Sequence, residues 1–90
     1  RDILFFETAS APHHIFLHTP GSRMDFLGSL NELETRLGNQ FIRTHRAYLV
    51  AADKIEAVDW KHNKLWAGGH ECLLSRAGKA KLRKIMGEKP

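Results

Sequence analysis

The residues Phe41 to Ala51 read FIRTHRAYLVA, and they place a short cationic segment between two runs of strand-forming side chains. Arg43 and His45 have the same parity in an extended strand, and Arg46 falls at the break before the second apolar run. A β-rich module that presents guanidinium groups at a strand edge or in a loop can hold phosphates and can read guanine bidentately. The alternative interpretation is a solvated strand that carries three scattered cations.

Outward from this segment, the chain is a series of short strand patterns separated by turn signals. Ile3 to Thr8 is apolar on both parities, which predicts a strand buried at the centre of a sheet. Arg23 to Leu27 alternates and predicts a half-buried strand, while Lys61 to Lys64 and Gly68-Gly69 are predicted turns. The other predicted strands are Ile15–His18, Tyr48–Val50, Ile55–Asp59 and Glu71–Leu74. Many short strands with frequent turns indicate a mainly β domain.

One helix is well marked in the sequence. Ser29 and Glu32 have the spacing of a capping box, and Gly38 supplies a stop after the last helical residue. One face of this helix is apolar at helical spacing, through Leu30, Leu33 and Leu37. The exposed side carries acids such as Glu34, which DNA phosphates would repel, so we interpret the helix as scaffold. A second, short helix is predicted over Ala77 to Met86.

Length and composition limit the chain to one small folded domain. It has 90 residues, of which 42% are hydrophobic, and no apolar run approaches the ~20 residues that span a bilayer. The chain begins with Arg1 and not with Met, and it starts directly on a strand pattern, so we expect residues 1–90 to be one domain excised from a longer protein. The single Cys72 cannot form an internal disulfide, which fits a reducing cytoplasm.

The positive charge is concentrated at one end of the chain. The formal net charge is +4, and Ser75 to Pro90 carries six basic residues against the single acid Glu88. Such an asymmetry favours a polyanionic partner, with nucleic acid first and an anionic membrane second. The alternative interpretation is a basic tail that only aids solubility.

The residue patterns speak against metal binding and against catalysis. His13 and His14 would point to opposite faces of a strand, and His70 with Cys72 supplies only two ligands of a tetrahedral site. The sequence has no Gly-x-Ser-x-Gly elbow and no Gly-rich phosphate loop. We therefore expect no enzyme activity, no cofactor and no metal, and we interpret Cys72 as a small buried hydrophobe.

The order Phe-x-Arg-x-His-Arg-x-Tyr-Leu-Val in residues 41–50 resembles the signature of the LytTR DNA-binding domain, the output module of many bacterial response regulators. Four more segments resemble that family in the same order, namely Asp2–Glu7, Ser29–Glu34, Asp53–Ile55 and Leu74–Arg76. The sequence departs from the family at Ala51, where Asn is frequent, and so loses a polar turn residue. The resemblance implies a mainly β fold, an elongated stack of small antiparallel sheets with one or two short helices.

The resemblance also implies that three loop regions contact the DNA bases and backbone. The first carries His13 and His14, whose imidazoles can donate to or accept from a base edge. In the second, Arg43 is expected on a phosphate and Arg46, accompanied by His45, on a guanine edge. The third region comprises Ser75, Arg76 and Lys79, in which the arginine reads a base or holds a phosphate and the lysine contacts phosphate.

The partners follow from the same resemblance. We expect sequence-specific binding of double-stranded DNA in the major groove, as direct repeats with one domain per repeat, and with pairing of two domains on the DNA. The resemblance further implies a cytoplasmic bacterial regulator with an N-terminal receiver or another sensory domain. The alternatives are a protein-interaction domain and an RNA or single-strand module. The latter would need exposed aromatics, whereas Tyr48 and Trp60 are predicted to lie in the core.

Overall fold

The computed structural model describes residues 2–87, which form a body of 39 × 25 × 24 Å with two antiparallel sheets and two helices. Two short 3-10 turns, Gly38–Gln40 and Ala52–Lys54, complete the regular structure. The elements in chain order are β1 (Phe5–Thr8), β2 (His14–Thr19), β3 (Ser22–Leu27), α1 (Leu30–Leu37), β4 (Phe41–His45), β5 (Tyr48–Ala51), β6 (Ile55–Asp59), β7 (Lys64–Ala67), β8 (His70–Leu73) and α2 (Arg76–Met86). The predicted mainly β stack with two short helices is confirmed.

The first sheet has five strands in the order β3-β2-β1-β5-β4. β1 is the central strand, and its Phe5 is paired with His18 on one side and with Val50 on the other. Leu4, Phe5 and Phe6 are all buried, because a central strand is covered on both faces. The prediction of a buried central strand is confirmed.

The second sheet consists of β6, β7 and β8 joined by two tight turns. The first turn contains Asn63 at a φ of +60°, and the second contains Gly68 and Gly69 at φ values of +57° and +82°. The two consecutive positive φ values of the second turn match the right-handed twist of the flanking strands, and glycine adopts them without steric cost. Both predicted turns are therefore confirmed.

The core has two parts, one on each face of the five-stranded sheet. The first part packs the sheet against the second sheet and α2, through buried residues that include Phe5, Val50, Leu65, Cys72 and Leu82. The second part packs the other face against α1 through Phe6, Ile15, Leu30 and Leu49. Tyr48 and Trp60 pack against the first part, as predicted. Burial raises the pKa of the Cys72 thiol to about 12, as expected for an inert core cysteine.

The strand β3 differs from its prediction. Five of its six residues are exposed, and Met24 and Leu27 keep 59% and 72% of their surface accessible. Only Phe26 is half-buried, packed against the core part beneath α1. The half-buried prediction was wrong because β3 is the edge strand of the five-stranded sheet, with a neighbouring strand on one side only.

Both helices begin with a serine cap and end at a glycine with positive φ. The Oγ of Ser29 accepts from the amide of Glu32 at 3.1 Å, and Gly38 follows α1 at a φ of +71°. The Oγ of Ser75 accepts from the amide of Gly78 at 3.0 Å, and Gly87 ends α2 at a φ of +68°. The predicted Ser29 cap and Gly38 stop of α1 are confirmed. The second helix was predicted over Ala77 to Met86 and begins one residue earlier, and its Ser75 cap and Gly87 stop were not predicted.

Candidate nucleic-acid interface

Three connecting segments of the chain meet at one end of the sheet. Because β1 and β5 are antiparallel, the end of β1 lies beside the start of β5. The amide of Thr8 donates to the carbonyl of Ala47 at 3.1 Å, and the amide of Ser75 donates to the carbonyl of Thr44 at 2.7 Å. The segments that follow β1, β4 and β8 therefore lie side by side. These are the segments that carry the predicted site residues.

The first segment, residues 9–13, ends on the exposed His13, which adopts a φ of +63°. Its backbone is fixed, because the carbonyl of His13 accepts from the amide of Gly28 at 2.9 Å. His14 is placed differently, with its Nδ1 at 2.7 Å from Oδ1 of Asp25. Of the two predicted histidines, His13 is therefore presented to solvent, while His14 is paired with a carboxylate.

Arg43 lies on β4, and its guanidinium group is occupied by four hydrogen bonds within the protein. Nη1 donates to Oδ1 of Asn31 at 2.8 Å and to Oε1 of Glu34 at 2.9 Å. Nε donates to the carbonyl of His45 at 3.1 Å, and Nη2 donates to the carbonyl of Arg46 at 2.7 Å. Only 16% of the side chain is exposed, so the structure ties this predicted phosphate ligand to α1 and to the turn after β4.

The turn between β4 and β5 presents Arg46 and holds His45. The Nδ1 atom of His45 accepts from the amide of Ala47 at 3.0 Å, so this nitrogen is the unprotonated one. Burial lowers the pKa of His45, and the charges of Arg46 and Arg43 lower it further. Arg46 is exposed, and its guanidinium makes no hydrogen bond or ion pair with residues 2–87. It is therefore available to an external acceptor.

In the third segment, Ser75 has a structural role and its neighbours are accessible. The Ser75 hydroxyl caps α2 and also donates to the carbonyl of Thr44 at 3.3 Å, so both of its hydrogen-bonding functions are used. Arg76 is exposed at the first position of α2, and Lys79 is half-buried one turn later. This end of the sheet therefore presents Arg46 and Arg76 on neighbouring segments.

Part of the basic C-terminal segment is engaged within the protein. The Nζ of Lys81 lies 3.4 Å from Oε2 of Glu34, and the guanidinium carbon of Arg83 lies 4.7 Å from the centre of the Trp60 ring. Two charges of this segment, on Glu88 and Lys89, lie outside the described residues. Among the described residues of this segment, Arg76 and Lys79 lie in the first turn of α2, next to Ser75.

The structure adds a fourth segment that the residue patterns did not assign to the interface. The carbonyl of Asn63 accepts from the amide of Leu74 at 3.0 Å, which brings the turn between β6 and β7 next to Ser75. This turn carries the exposed Lys61. The sequence showed a cationic hairpin tip, but it gave no sign that this tip adjoins the start of α2.

Acid should destabilise the domain through His18 and His45. Burial is the main cause that lowers the pKa of both imidazoles, although a hydrogen bond to Glu7 opposes the shift at His18. A histidine with a lowered pKa binds its proton more weakly in the folded than in the unfolded state. The free energy of unfolding should therefore decrease as the pH falls below about 6.5, and urea titrations between about pH 7.5 and 5.5 would measure it.

The matched variant for this measurement carries His18→Gln and His45→Gln. Glutamine can hydrogen-bond but does not titrate, so the loss of stability towards acid should become smaller in the variant. If the free energy of unfolding changes between the two pH values as much in the variant as in the wild type, these imidazoles are not the cause.

Neither a metal centre nor a membrane helix is found among residues 2–87. No group of three or more histidine, cysteine or acidic side chains there could hold a metal ion. His70 is exposed and its ring lies tilted against that of His18, with 5.6 Å between ring centres, while Cys72 is fully buried. No helix in this part of the chain is long and apolar enough to cross a membrane.

Known proteins are similar to this chain in sequence and in fold. The family described as LytTr DNA-binding domain matches residues 1–87. The accessory gene regulator protein A of Staphylococcus epidermidis is 31% identical over 75 residues, which cover 82% of this chain and 31% of that protein. The protein of the same name from Staphylococcus aureus (strain N315) is 35% identical over 60 residues, or 67% of this chain and 25% of that protein.

A solved structure has the same fold. It is the LytTr DNA-binding domain of a putative methyl-accepting/DNA response regulator from Bacillus cereus, which superposes with a TM-score of 0.79. The match covers 96% of this chain and 82% of that chain at 22% sequence identity. The described chain thus spans most of one such domain, but only about a third of the accessory gene regulators that it matches.

Proposed function

The chain belongs to the LytTr DNA-binding domain family, and on that premise we propose that it binds double-stranded DNA sequence-specifically to regulate transcription. The family is one of DNA-binding domains and not of enzymes. We propose further that side chains from the segments that meet at this end of the sheet enter the major groove, where each base pair has a distinct pattern of donors and acceptors.

The observation that carries this proposal is the placement of two exposed guanidinium groups on neighbouring segments. Arg46 lies in the turn after β4, and Arg76 is the first residue of α2. The two are linked through Thr44, which lies on β4 and whose carbonyl accepts from the amide of Ser75, the cap of α2. An arginine fork fits O6 and N7 of guanine, so both residues are proposed base readers. The exposed His13, on the adjacent segment, is a third proposed base contact.

Other cations at this edge are proposed to hold the DNA backbone. Lys79 lies one helical turn after Arg76. Lys61 lies in the turn between β6 and β7, which adjoins Ser75. A lysine ammonium is a point charge without the geometry of a fork, so it suits phosphates better than base edges. Direct DNA contacts by His14, Arg43, His45 and Ser75 stay predictions, and each of these side chains already makes at least one hydrogen bond within the protein.

The wider setting of the domain is also a proposal. The relatives are accessory gene regulators that this chain covers to about a third of their length. We propose that the domain works beside an N-terminal receiver or other sensory domain in a cytoplasmic bacterial regulator. It would bind direct repeats with one domain per repeat, and two domains would pair on the DNA.

A salt titration tests whether this end of the sheet binds DNA phosphates. If the domain neutralises about five to eight phosphates, the logarithm of affinity should fall with the logarithm of salt concentration at a slope of about −4 to −7. Fluorescence anisotropy on duplexes selected by the protein from a random pool would measure the slope. A slope near −1 would contradict the proposal.

A competition experiment distinguishes binding of duplex DNA from binding of single-stranded DNA or RNA. Single-stranded DNA and RNA of the same sequence should compete weakly, because binding of single strands depends on exposed aromatic faces. The half-buried Phe16 on the sheet is covered by Arg23, whose guanidinium carbon lies 4.1 Å from the ring centre. Stronger competition by single strands than by the duplex would favour the alternative.

A further inference from the structure

We infer that Arg43 is a positioning residue that holds the Arg46 turn in place for reading the base, with Glu34 of α1 as its anchor. The inference rests on the proposed role of Arg46 in base recognition. It assigns to Arg43 a function other than the phosphate contact that the sequence predicted for it, and it brings the acidic helix α1 into recognition.

The guanidinium of Arg43 holds the backbone of the turn at two successive residues. Nε donates to the carbonyl of His45 at 3.1 Å, and Nη2 donates to the carbonyl of Arg46 at 2.7 Å. The strand register between β4 and β5 shifts between Ile42 and His45, so the ladder is irregular just before the turn, and His45 pairs with Tyr48 where it resumes. The two bonds from Arg43 add to this single pair in fixing the backbone of the turn.

The other side of the guanidinium is fixed to α1. Nη1 donates to Glu34 at 2.9 Å and to Asn31 at 2.8 Å, and Glu34 and Asn31 are one helical turn apart. Four of the five N–H donors of the arginine are therefore used within the protein. The planar guanidinium group therefore connects the turn that carries Arg46 to the helix α1, so the position of the helix fixes that of the turn.

This arrangement leaves little charge for a phosphate. The carboxylate of Glu34 neutralises Arg43, whose side chain is only 16% exposed, whereas Arg46 in the turn after β4 is exposed and free of ion pairs within residues 2–87. A phosphate ligand would have to give up the ion pair and expose an unpaired carboxylate at the DNA surface. The network is consequently better suited to fixing geometry than to binding an anion.

The substitution Glu34→Ala distinguishes the two roles by the sign of its effect. If Arg43 positions the turn, the loss of its anchor should weaken binding to the selected duplex by roughly twofold to tenfold, the cost of ordering a loosened side chain on binding. If Arg43 binds phosphate, the variant should bind more tightly, because a negative charge disappears and the guanidinium is released. Tighter binding beyond that of the matched control would overturn the inference.

The control is Glu32→Ala on the same helix. Glu32 is exposed, its side chain makes no ion pair within the described residues, and its removal changes the net charge by the same amount. It should therefore strengthen binding slightly through the general field of the protein. Because Glu34 also pairs with Lys81 at 3.4 Å, both variants are compared in a Lys81→Ala background, in which a difference between them reports on the Arg43 anchor.

A second variant, Arg43→Lys, keeps the charge and removes the fork. The salt slope should stay the same while the preference for the selected over the random duplex decreases. In a background that already carries Arg46→Ala, Arg43→Lys should cause no further loss of preference, because there is then no side chain to position. A full additional loss in that background would contradict the inference.

Measurements on the free protein separate this inference from the proposed function. Hydrogen exchange of the Ala47 and Thr8 amides, which are bonded within and beside the turn, should become faster in Arg43→Lys and in Glu34→Ala. Unchanged exchange in both variants would overturn the positioning role whatever the DNA data show. Faster exchange together with an Arg46→Ala variant that retains full preference would instead overturn the proposed function.

Discussion

Replacing Gly78 by alanine should cause the largest loss of stability of the changes considered for this domain. A Cβ atom at this position would lie 2.0 Å from the carbonyl oxygen of Thr44 and 2.6 Å from its carbon. Backbone atoms cannot move aside like a flexible side chain, so α2 must separate from β4, at a cost of ~1–3 kcal/mol or more. The gain in helix propensity from glycine to alanine, ~1 kcal/mol, is not expected to offset it. Urea unfolding would measure the difference.

The same substitution should reduce DNA binding beyond its effect on folding. The first turn of α2 carries Arg76 and Lys79, and its start is fixed by the hydrogen bonds between Ser75 and Thr44. Displacement of α2 moves both cations relative to the other segments at this end of the sheet. The control is Gly21→Ala, where an added Cβ meets nothing within 4 Å and φ is not positive. A Gly78→Ala protein as stable as the wild type would show that the helix does not pack this closely.

The second prediction separates base reading from backbone binding. Arg46→Ala should cost about 1–3 kcal/mol on the selected duplex and much less on random DNA, because only the selected site offers a matching base edge. Lys79→Ala should weaken both complexes alike and reduce the salt slope by about one unit, since it removes one phosphate contact. Titrations of both variants on both duplexes, each at several salt concentrations, provide the comparison.

Folding is the control for this pair of variants. Arg46 is exposed and Lys79 is half-buried, and neither makes a side-chain hydrogen bond within residues 2–87, so the melting temperature should change little. Equal losses on selected and random DNA for Arg46→Ala would make this residue a phosphate contact. The base-reading role would then fall to Arg76 or His13.

Local signals in the sequence predicted the elements that depend on few neighbouring residues. The strand Ile55–Asp59, the Gly68-Gly69 turn and the Ser29 cap occur where they were predicted. Each depends on side-chain parity, on positive φ, or on a hydrogen bond three residues away, and such interactions can be read from adjacent residues. The same applies to the buried strand β1, whose residues are apolar on both faces.

The sequence by itself determined the family, the mainly β fold and the concentration of positive charge, because these are properties of residue type and order. Only the tertiary structure decided which cations are free. Arg43 on β4 and Arg46 in the turn that follows are only three residues apart, yet the first is bound to Glu34 on α1 and the second is exposed. The edge position of β3 and the packing of Gly78 on Thr44 were likewise invisible, because contacts between distant segments depend on how the sheets and helices pack.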